Sequence, residues 1–155
     1  MRMIRARKNS QRHTPATANM DVFSKAQRSA VMARVRSKDT KPEKIVRSLL
    51  HRLGFRFRLH RADLPGTPDI VMPGRGIVVF VHGCFWHQHA RCASANRPAS
   101  NRVYWNNKLD RNRTRDAANK RALRRLGWKV VVVWECQIKN IDRLSGQLLR
   151  LISGK

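Results

Sequence analysis

The spacing of apolar residues predicts two helices before any strand. In residues 45–53 apolar side chains recur at helical spacing and form a single stripe. Thr40 and Glu43 have the spacing of a capping box at the start of this helix, and Gly54 ends it. Ser24 and Gln27 have the same spacing, which predicts an earlier, shorter helix over residues 24–36.

The rest of the chain alternates between short strands and longer helices. Residues 55–59 alternate with period two, as in a half-exposed strand, and a turn-rich link follows. Two buried strands are expected at 69–72 and 77–81, a polar helix at 102–126, a strand at 130–134 and a final amphipathic helix after residue 140. The order α-α-β-β-β-α-β-α predicts the α/β class, with a mixed β-sheet flanked by helices.

Length and composition indicate one compact domain. The chain has 155 residues, of which 41% are hydrophobic, enough for a core. It lacks both the run of about 18 apolar residues of a membrane span and the shorter one of a secretory signal. Residues 1–20 hold five Arg or Lys and no acid, so we expect a flexible basic arm at 1–20 and a folded domain at 21–155.

The charge of the chain points to a polyanionic partner. Lys and Arg number 34 against 9 Asp and Glu, a formal net charge of +25. A surface this positive repels itself, and nucleic acid is the simplest partner that would favour it. Residues 101–125 carry nine Arg or Lys against only Asp110 and Asp116, so the long helix is a candidate surface for contacting phosphates.

Three cysteines and a nearby histidine form a candidate metal site. Cys84, His89 and Cys92 lie within nine residues, and Cys136 ends a hydrophobic strand. An odd number of cysteines without a secretory signal argues against a disulfide framework. Three thiolates and one imidazole are a usual tetrahedral set for structural zinc. The spacing alone leaves buried thiols as an equal alternative.

Few acids occur in this basic chain, so each is informative. Asp69 begins a strand, where a carboxylate can hold a divalent cation that acts on phosphodiesters, although a turn residue after Pro68 is an equal alternative. Glu43 could reach the same cleft or serve only as a helix cap. Asp116 could orient a catalytic histidine or be a solvated helix residue. His82 and His87 lie outside the candidate zinc set and are free for acid–base chemistry.

Taken together, these features resemble the very short patch repair (Vsr) mismatch endonucleases over residues 20–153. The most specific part is VFVHGCFWH, residues 79–87. Supporting parts are the helix around Glu43, LPGTPD at 64–69, Trp105 with Lys108, and the stretch from Gly127 to Cys136. The resemblance implies a fold like the PD-(D/E)xK restriction nucleases with a structural zinc. It also implies a magnesium-dependent nick on the 5′ side of the thymine in a T:G mismatch left by deamination of 5-methylcytosine.

The resemblance also implies roles for individual residues. Asp69 would bind magnesium, with the backbone carbonyl of Val81, where some members have Thr. His82 and His87 would be catalytic, Asp116 would support His87, and Glu43 would lie near the site. The zinc ligands would be Cys84, His89, Cys92 and Cys136. The residues that would contact or enter DNA are Met32, Phe85, Trp86, Trp105 and Lys108.

Partners and location follow from the same resemblance. Double-stranded DNA with T:G mismatches is the expected substrate, and mismatch-repair proteins and a cytosine-5 methyltransferase are expected partners. We expect a monomer in the bacterial cytoplasm, on the nucleoid when bound to DNA. Two alternatives stay open: a zinc-stabilised DNA-binding module without catalysis, and a nuclease of the same fold with another DNA substrate.

Overall fold

The computed structural model describes residue 30 and residues 38–154. Three helices lie in the second range: α1 (Lys41–Arg52), α2 (Arg102–Arg125) and α3 (Ile141–Ser153). The strands are β1 (Arg58–Leu59), β2 (Ile70–Met72), β3 (Ile77–His82) and β4 (Lys129–Trp134). The predicted basic arm and the predicted helix at 24–36 lie outside the described residues, except for residue 30, which is helical.

The four strands form one mixed sheet in the order β1-β2-β3-β4. The pairs β1–β2 and β2–β3 are antiparallel, whereas β3 and β4 are parallel. The β3–β4 ladder runs from Ile77 opposite Lys129 to His82 opposite Trp134. Because parallel strands need a crossover connection, the chain between them is long and contains α2. The predicted mixed sheet flanked by helices is confirmed.

Both faces of the sheet are covered, since side chains alternate along each strand. On one face Ile77 and Val79 of β3 pack with α1 and α3, in a core that includes Leu50 and Leu148. On the other face Val78 and Phe80 pack against Leu123 of α2. The sheet is therefore the middle of three layers. Polar residues gather at the edge of the sheet where β3 and β4 end.

The helix ends agree with their local signals. Thr40 caps α1 through the backbone N–H of Glu43, and the Glu43 side chain accepts from the Thr40 backbone, so the predicted capping box is confirmed. Gly54 and Gly127 follow α1 and α2 with a φ of 82° each, a left-handed conformation that glycine adopts without steric cost. Apolar periodicity and caps were therefore sufficient to place these helices.

The expected strand at 55–59 is wrong in extent, since only Arg58 and Leu59 pair with β2. The backbone N–H of Phe55 donates instead to the carbonyl of Leu50 at 3.0 Å, which closes the end of α1. The Phe55 ring is buried in the core beside α1. Residues 55–57 are therefore a connecting segment whose Phe55 ring is buried. They do not extend the strand, because the backbone N–H of Phe55 is hydrogen-bonded to the end of α1.

Among residues 38–154, no helix is both long and apolar enough to cross a membrane.

We expect Leu123→Ala to destabilise the protein by about 2–5 kcal/mol, because it removes a fully buried side chain where α2 meets the sheet. Leu126→Ala is the matched control, since Leu126 is 61% exposed and its truncation should change stability by less than about 0.5 kcal/mol. Urea unfolding of both variants measures the difference. Equal effects would contradict the packing of α2 on this face.

Candidate functional site

A cleft of about 770 Å³ opens at the sheet edge where β3 and β4 end. Helix α1 borders one side and α2 the other, and the loop after β3 lies between them. The cleft holds four carboxylates and three histidines, which are Glu43, Asp69, Asp116, Glu135, His60, His82 and His87. These residues lie up to 92 positions apart in the sequence. The fold brings all five predicted catalytic residues to this one cleft.

Asp69 precedes β2 and is held against β3. Its Oδ2 accepts a hydrogen bond from the backbone N–H of Val81 at 2.7 Å. Burial is the main cause that raises the pKa of Asp69 to about 6; the hydrogen bond from Val81 opposes this shift, and the negative charge of Glu43 contributes to it. A carboxylate that is costly to ionise in a dry cleft is stabilised by a cation. The donor chemistry therefore fits a hard divalent ion that keeps most of its water ligands.

The two histidines stack beside a carboxylate. Their ring centroids are 3.8 Å apart with planes 10° from parallel. The Nδ1–H of His87 donates to Oδ2 of Asp116 at 2.5 Å, which leaves Nε2 of His87 as the proton acceptor. Burial is the largest single effect and opposes ionisation of Asp116, but the hydrogen bond with His87 and attraction to neighbouring cationic groups such as Arg115 together outweigh it and lower the pKa of Asp116. The acid thus orients the ring as a triad carboxylate does.

His82 is neutral in this arrangement. It is 5% exposed, and burial is the main cause that lowers its pKa to about 3; a second proton on the stacked His87 would act in the same direction. Its Nδ1 is buried and makes no hydrogen bond within the described residues. The nitrogen that remains for a ligand in the cleft is therefore Nε2.

Glu43 is buried beside the cleft, and both its oxygens are engaged by the protein. Oε1 accepts from the hydroxyl of Thr40 at 2.8 Å, and Oε2 accepts from the backbone N–H of Asp39 at 3.0 Å and from the guanidinium of Arg47 at 2.8 Å. The same guanidinium lies 2.8 Å from Nε2 of His60. These contacts show that Glu43 caps α1 and joins a charge network; sequence reasoning missed Arg47 and His60, whose partners are fixed only by folding.

The four candidate zinc ligands converge. One ligand atom from each of Cys84, His89, Cys92 and Cys136 lies within 4.8 Å of the others. Nδ1 of His89 is 3.3 Å from the sulfur of Cys136 and 3.7 Å from that of Cys84. The His89 ring also stacks on Trp134 at 4.1 Å, which fixes its orientation. Burial raises the pKa of the Cys84 thiol to about 12, so a cation among these ligands would offset the cost of the thiolate.

The predicted DNA-contacting aromatics form one cluster next to the cleft. The Phe85 ring lies 5.0 Å from Trp86 and 5.5 Å from Trp105, and Trp105 is buried. Lys108 places its ammonium 5.3 Å from the Trp86 ring and 5.8 Å from the Trp105 ring. Tyr104 belongs to the cluster and is partly exposed, and sequence reasoning missed it although it lies four residues before Lys108 on one helix.

Other positions need a separate comment. Met32 lies outside the described residues. Lys120 and Glu135 line the cleft and were not singled out from the sequence. The signals available for them were the spacing of Lys120 one helical turn after Asp116 and the rarity of acids in a basic chain.

The chain matches known proteins at the level of sequence. The family model described as "DNA mismatch endonuclease Vsr" matches residues 20–94. The "Type II nicking enzyme V.XorIIP" of Xanthomonas oryzae pv. oryzae is 51% identical over 132 residues, which cover 85% of this chain and 96% of that protein. The "DNA mismatch endonuclease Vsr" of Escherichia coli K12 is 40% identical over 83% of this chain and 82% of its own length.

A solved structure matches at the level of fold. The catalytic domain of the homing endonuclease I-Bth0305I has a TM-score of 0.52 at 16% identity and covers 75% of this chain and 97% of its own. This likeness confirms the nuclease-type, PD-(D/E)xK-like fold. The sequence relatives show that the chain belongs to the Vsr family of DNA mismatch endonucleases.

Proposed function

We propose that the enzyme nicks one DNA strand on the 5′ side of the thymine in a T:G mismatch, as the start of very short patch repair of deaminated 5-methylcytosine. The observation that carries this proposal is the meeting of Asp69, the His82–His87 stack and the aromatic cluster at one sheet edge. Reactive groups and groups suited to probing base stacking thus lie side by side.

We propose that a divalent metal ion, magnesium, assists this chemistry. Asp69 would hold it with the backbone carbonyl of Val81, next to the N–H that already binds the Asp69 carboxylate. When bound, magnesium supplies positive charge to the scissile phosphate and lowers the pKa of a water ligand. Glu43 would act as a positioning residue, because its oxygens are engaged by Thr40, Asp39 and Arg47.

The histidines would handle the protons of hydrolysis. The oxygen of water bonds to phosphorus while the bond from phosphorus to the deoxyribose oxygen breaks. His87 accepts the water proton at Nε2, since Asp116 holds its Nδ1–H. Neutral His82 donates a hydrogen bond from Nε2–H to the phosphate, and the leaving oxygen takes up a proton from solvent. Asp116 is a positioning residue in this scheme.

The aromatic cluster would recognise the mismatch by entering the base stack. Unstacking one base step costs on the order of a few kcal/mol, and less at a wobble pair. Phe85 and Trp86 are half-buried, whereas Trp105 is buried and must move to enter the DNA. Lys108 at the face of these rings would bind the adjacent backbone, and Met32 would enter from the opposite groove.

A structural zinc would brace this loop. With Cys84, His89, Cys92 and Cys136 all bound, no coordination position would remain for catalysis. We also propose that the enzyme acts as a monomer in the bacterial cytoplasm and on the nucleoid, with mismatch-repair proteins and a cytosine-5 methyltransferase as partners.

The central test is nicking of duplexes that carry one T:G pair, matched duplexes and single strands, each with varied flanking sequence. With magnesium we expect one nick, 5′ to the mismatched thymine, and none with chelator. Asp69→Asn should leave mismatch binding measurable and abolish nicking, because it removes the charge that holds the metal.

Asp63→Asn is the matched control for that variant, because Asp63 is exposed, pairs with Arg61 and lies outside the cleft. It should nick like the wild type. Cleavage of both strands of matched DNA would favour a nuclease with another substrate, and wild-type nicking by Asp69→Asn would refute the metal assignment.

Zinc content tests the cysteine site. Cys136→Ser should reduce bound zinc well below one per chain and lower the free energy of unfolding by an amount on the order of a few kcal/mol, since metal binding contributes to folding. Atomic emission and urea unfolding measure the two quantities. Ala99→Ser, which introduces the same hydroxyl at an exposed position in the loop before α2, is the control and should change neither. A Cys136→Ser protein with full zinc and unchanged stability would exclude the site.

The low pKa of His82 predicts a loss of stability in acid. In the unfolded chain His82 takes up a proton below about pH 6.5, whereas in the folded chain it stays unprotonated until about pH 3. The free energy of unfolding therefore falls as the pH drops through this window. From pH 7 to pH 5.5 the wild type should lose about 1 kcal/mol more than His82→Gln.

Urea unfolding at the two pH values, with zinc present, provides the measurement. The shift of Asp69 acts in the opposite direction, but both proteins contain it and it cancels in the comparison. His51→Gln replaces an exposed histidine and should track the wild type at both pH values. Parallel losses in wild type and His82→Gln would show that His82 titrates normally.

A further inference from the structure

Helix α2 presents one row of polar side chains to the cleft. Asn112, Asp116 and Lys120 are spaced four residues apart, so they lie on one face of the helix, and all three line the cleft. The amide of Asn112 donates to the carbonyl of Trp86 at 3.2 Å. Asp116 holds His87. The first two positions of the row thus support the loop and the histidine, and Lys120 is the next position along.

The charge of Lys120 lies in the cleft that holds the two histidines. Lys120 is partly buried and lines this cleft one helical turn after Asp116, which holds His87. A cation at this place favours an anion in the cleft.

No carboxylate neutralises Lys120 within the part of the chain that the structure describes. The two acids of α2 are engaged elsewhere, since Asp110 pairs with Arg97 and Asp116 with His87. Other cations that line the cleft differ: Lys108 lies over aromatic rings, Arg115 donates to Asn112, and Lys38 is exposed. Lys120 thus combines burial, proximity to His82 and an unneutralised charge.

We propose that Lys120 is a further catalytic residue, whose ammonium donates a hydrogen bond to a non-bridging oxygen of the scissile phosphate. It stays protonated throughout, and no bond to it forms or breaks. Negative charge on the phosphoryl oxygens is concentrated in the transition state, and a positioned cation in a partly dry cleft stabilises it more than in water. This inference rests on the proposed active site at Asp69 and the histidines.

The neighbouring basic residue provides a matched control. Arg121 follows Lys120 on α2 but is rotated by about 100° around the helix and is exposed. Both belong to the same run of positive charge, so general attraction of DNA affects them alike. Only Lys120 lines the cleft.

The test separates binding from chemistry. Single-turnover nicking of the T:G duplex is measured at saturating enzyme with magnesium, and the Kd is measured in calcium over a range of salt. Lys120→Gln should slow nicking by about 100–1,000-fold, the scale of losing one transition-state donor, while the Kd changes less than about threefold. Lys120→Arg should recover most of the rate, and Arg121→Gln should keep the wild-type rate at saturating enzyme, with any loss confined to its Kd.

Several results would overturn the assignment. One is a wild-type nicking rate of Lys120→Gln at saturating enzyme. This result would overturn the assignment even if the Kd weakens and its salt dependence falls by the equivalent of one phosphate contact, because Lys120 would then act only in binding. Circular dichroism and zinc content show whether the variant is folded, and Lys120→Met, which keeps the aliphatic stem, repeats the measurement if the Gln variant is not.

The proposed active site fails in a different way. If Asp69→Asn nicks at the wild-type rate, the cleft is not the active site and the role of Lys120 falls with it. If Asp69→Asn is inactive but both neutral variants of Lys120 nick at the wild-type rate, only the role of Lys120 is wrong.

Discussion

The parallel pairing of β3 and β4 is the constraint on which the site depends. Its register ends with His82 opposite Trp134, so Cys84 and Cys136 each leave the sheet two residues beyond the last pair. They emerge at the same edge, where their sulfurs and the His89 ring can bind one metal ion together. A slip of one residue would turn each side chain to the opposite face and separate the ligands from one another.

The same parallel pairing demands a long crossover, and the crossover provides much of the site. Helix α2 is polar and buries few side chains, chiefly Trp105, Leu109 and Leu123. It is therefore anchored at its two ends, and its middle is left to carry Asp116 and Lys120 into the cleft. A connection required by topology thus also positions the histidine and collects positive charge.

Burial determines how the ionisable groups behave in this basic protein. Burial keeps His82 neutral, and Asp69 gains a proton more readily than in water. Both effects arise because charge is costly in a dry cleft. The net charge of +25 attracts the substrate, but the reactivity depends on a few groups that the surrounding protein has withdrawn from solvent. A homing endonuclease domain shares this fold at 16% identity, so the fold by itself does not select the substrate.

The sequence by itself determined the elements whose signals are local. The capping box at Thr40, the glycines that end α1 and α2, and the apolar strands β2, β3 and β4 all follow from patterns within a few residues. It also indicated the candidate ligands, because residue type and spacing restrict metal chemistry, and resemblance to a family supplied candidate roles.

Only the tertiary structure decided how those residues are used. It shortened the first strand by committing Phe55 to the end of α1, and it saturated Glu43 with donors that include Arg47. It also stacked His82 on His87 and placed Lys120 in the same cleft. These outcomes depend on contacts between residues far apart in the chain and on the exclusion of water. The spacing of neighbouring residues encodes neither these contacts nor the exclusion of water. Both are defined only once the sheet and its crossover helix have closed around the cleft.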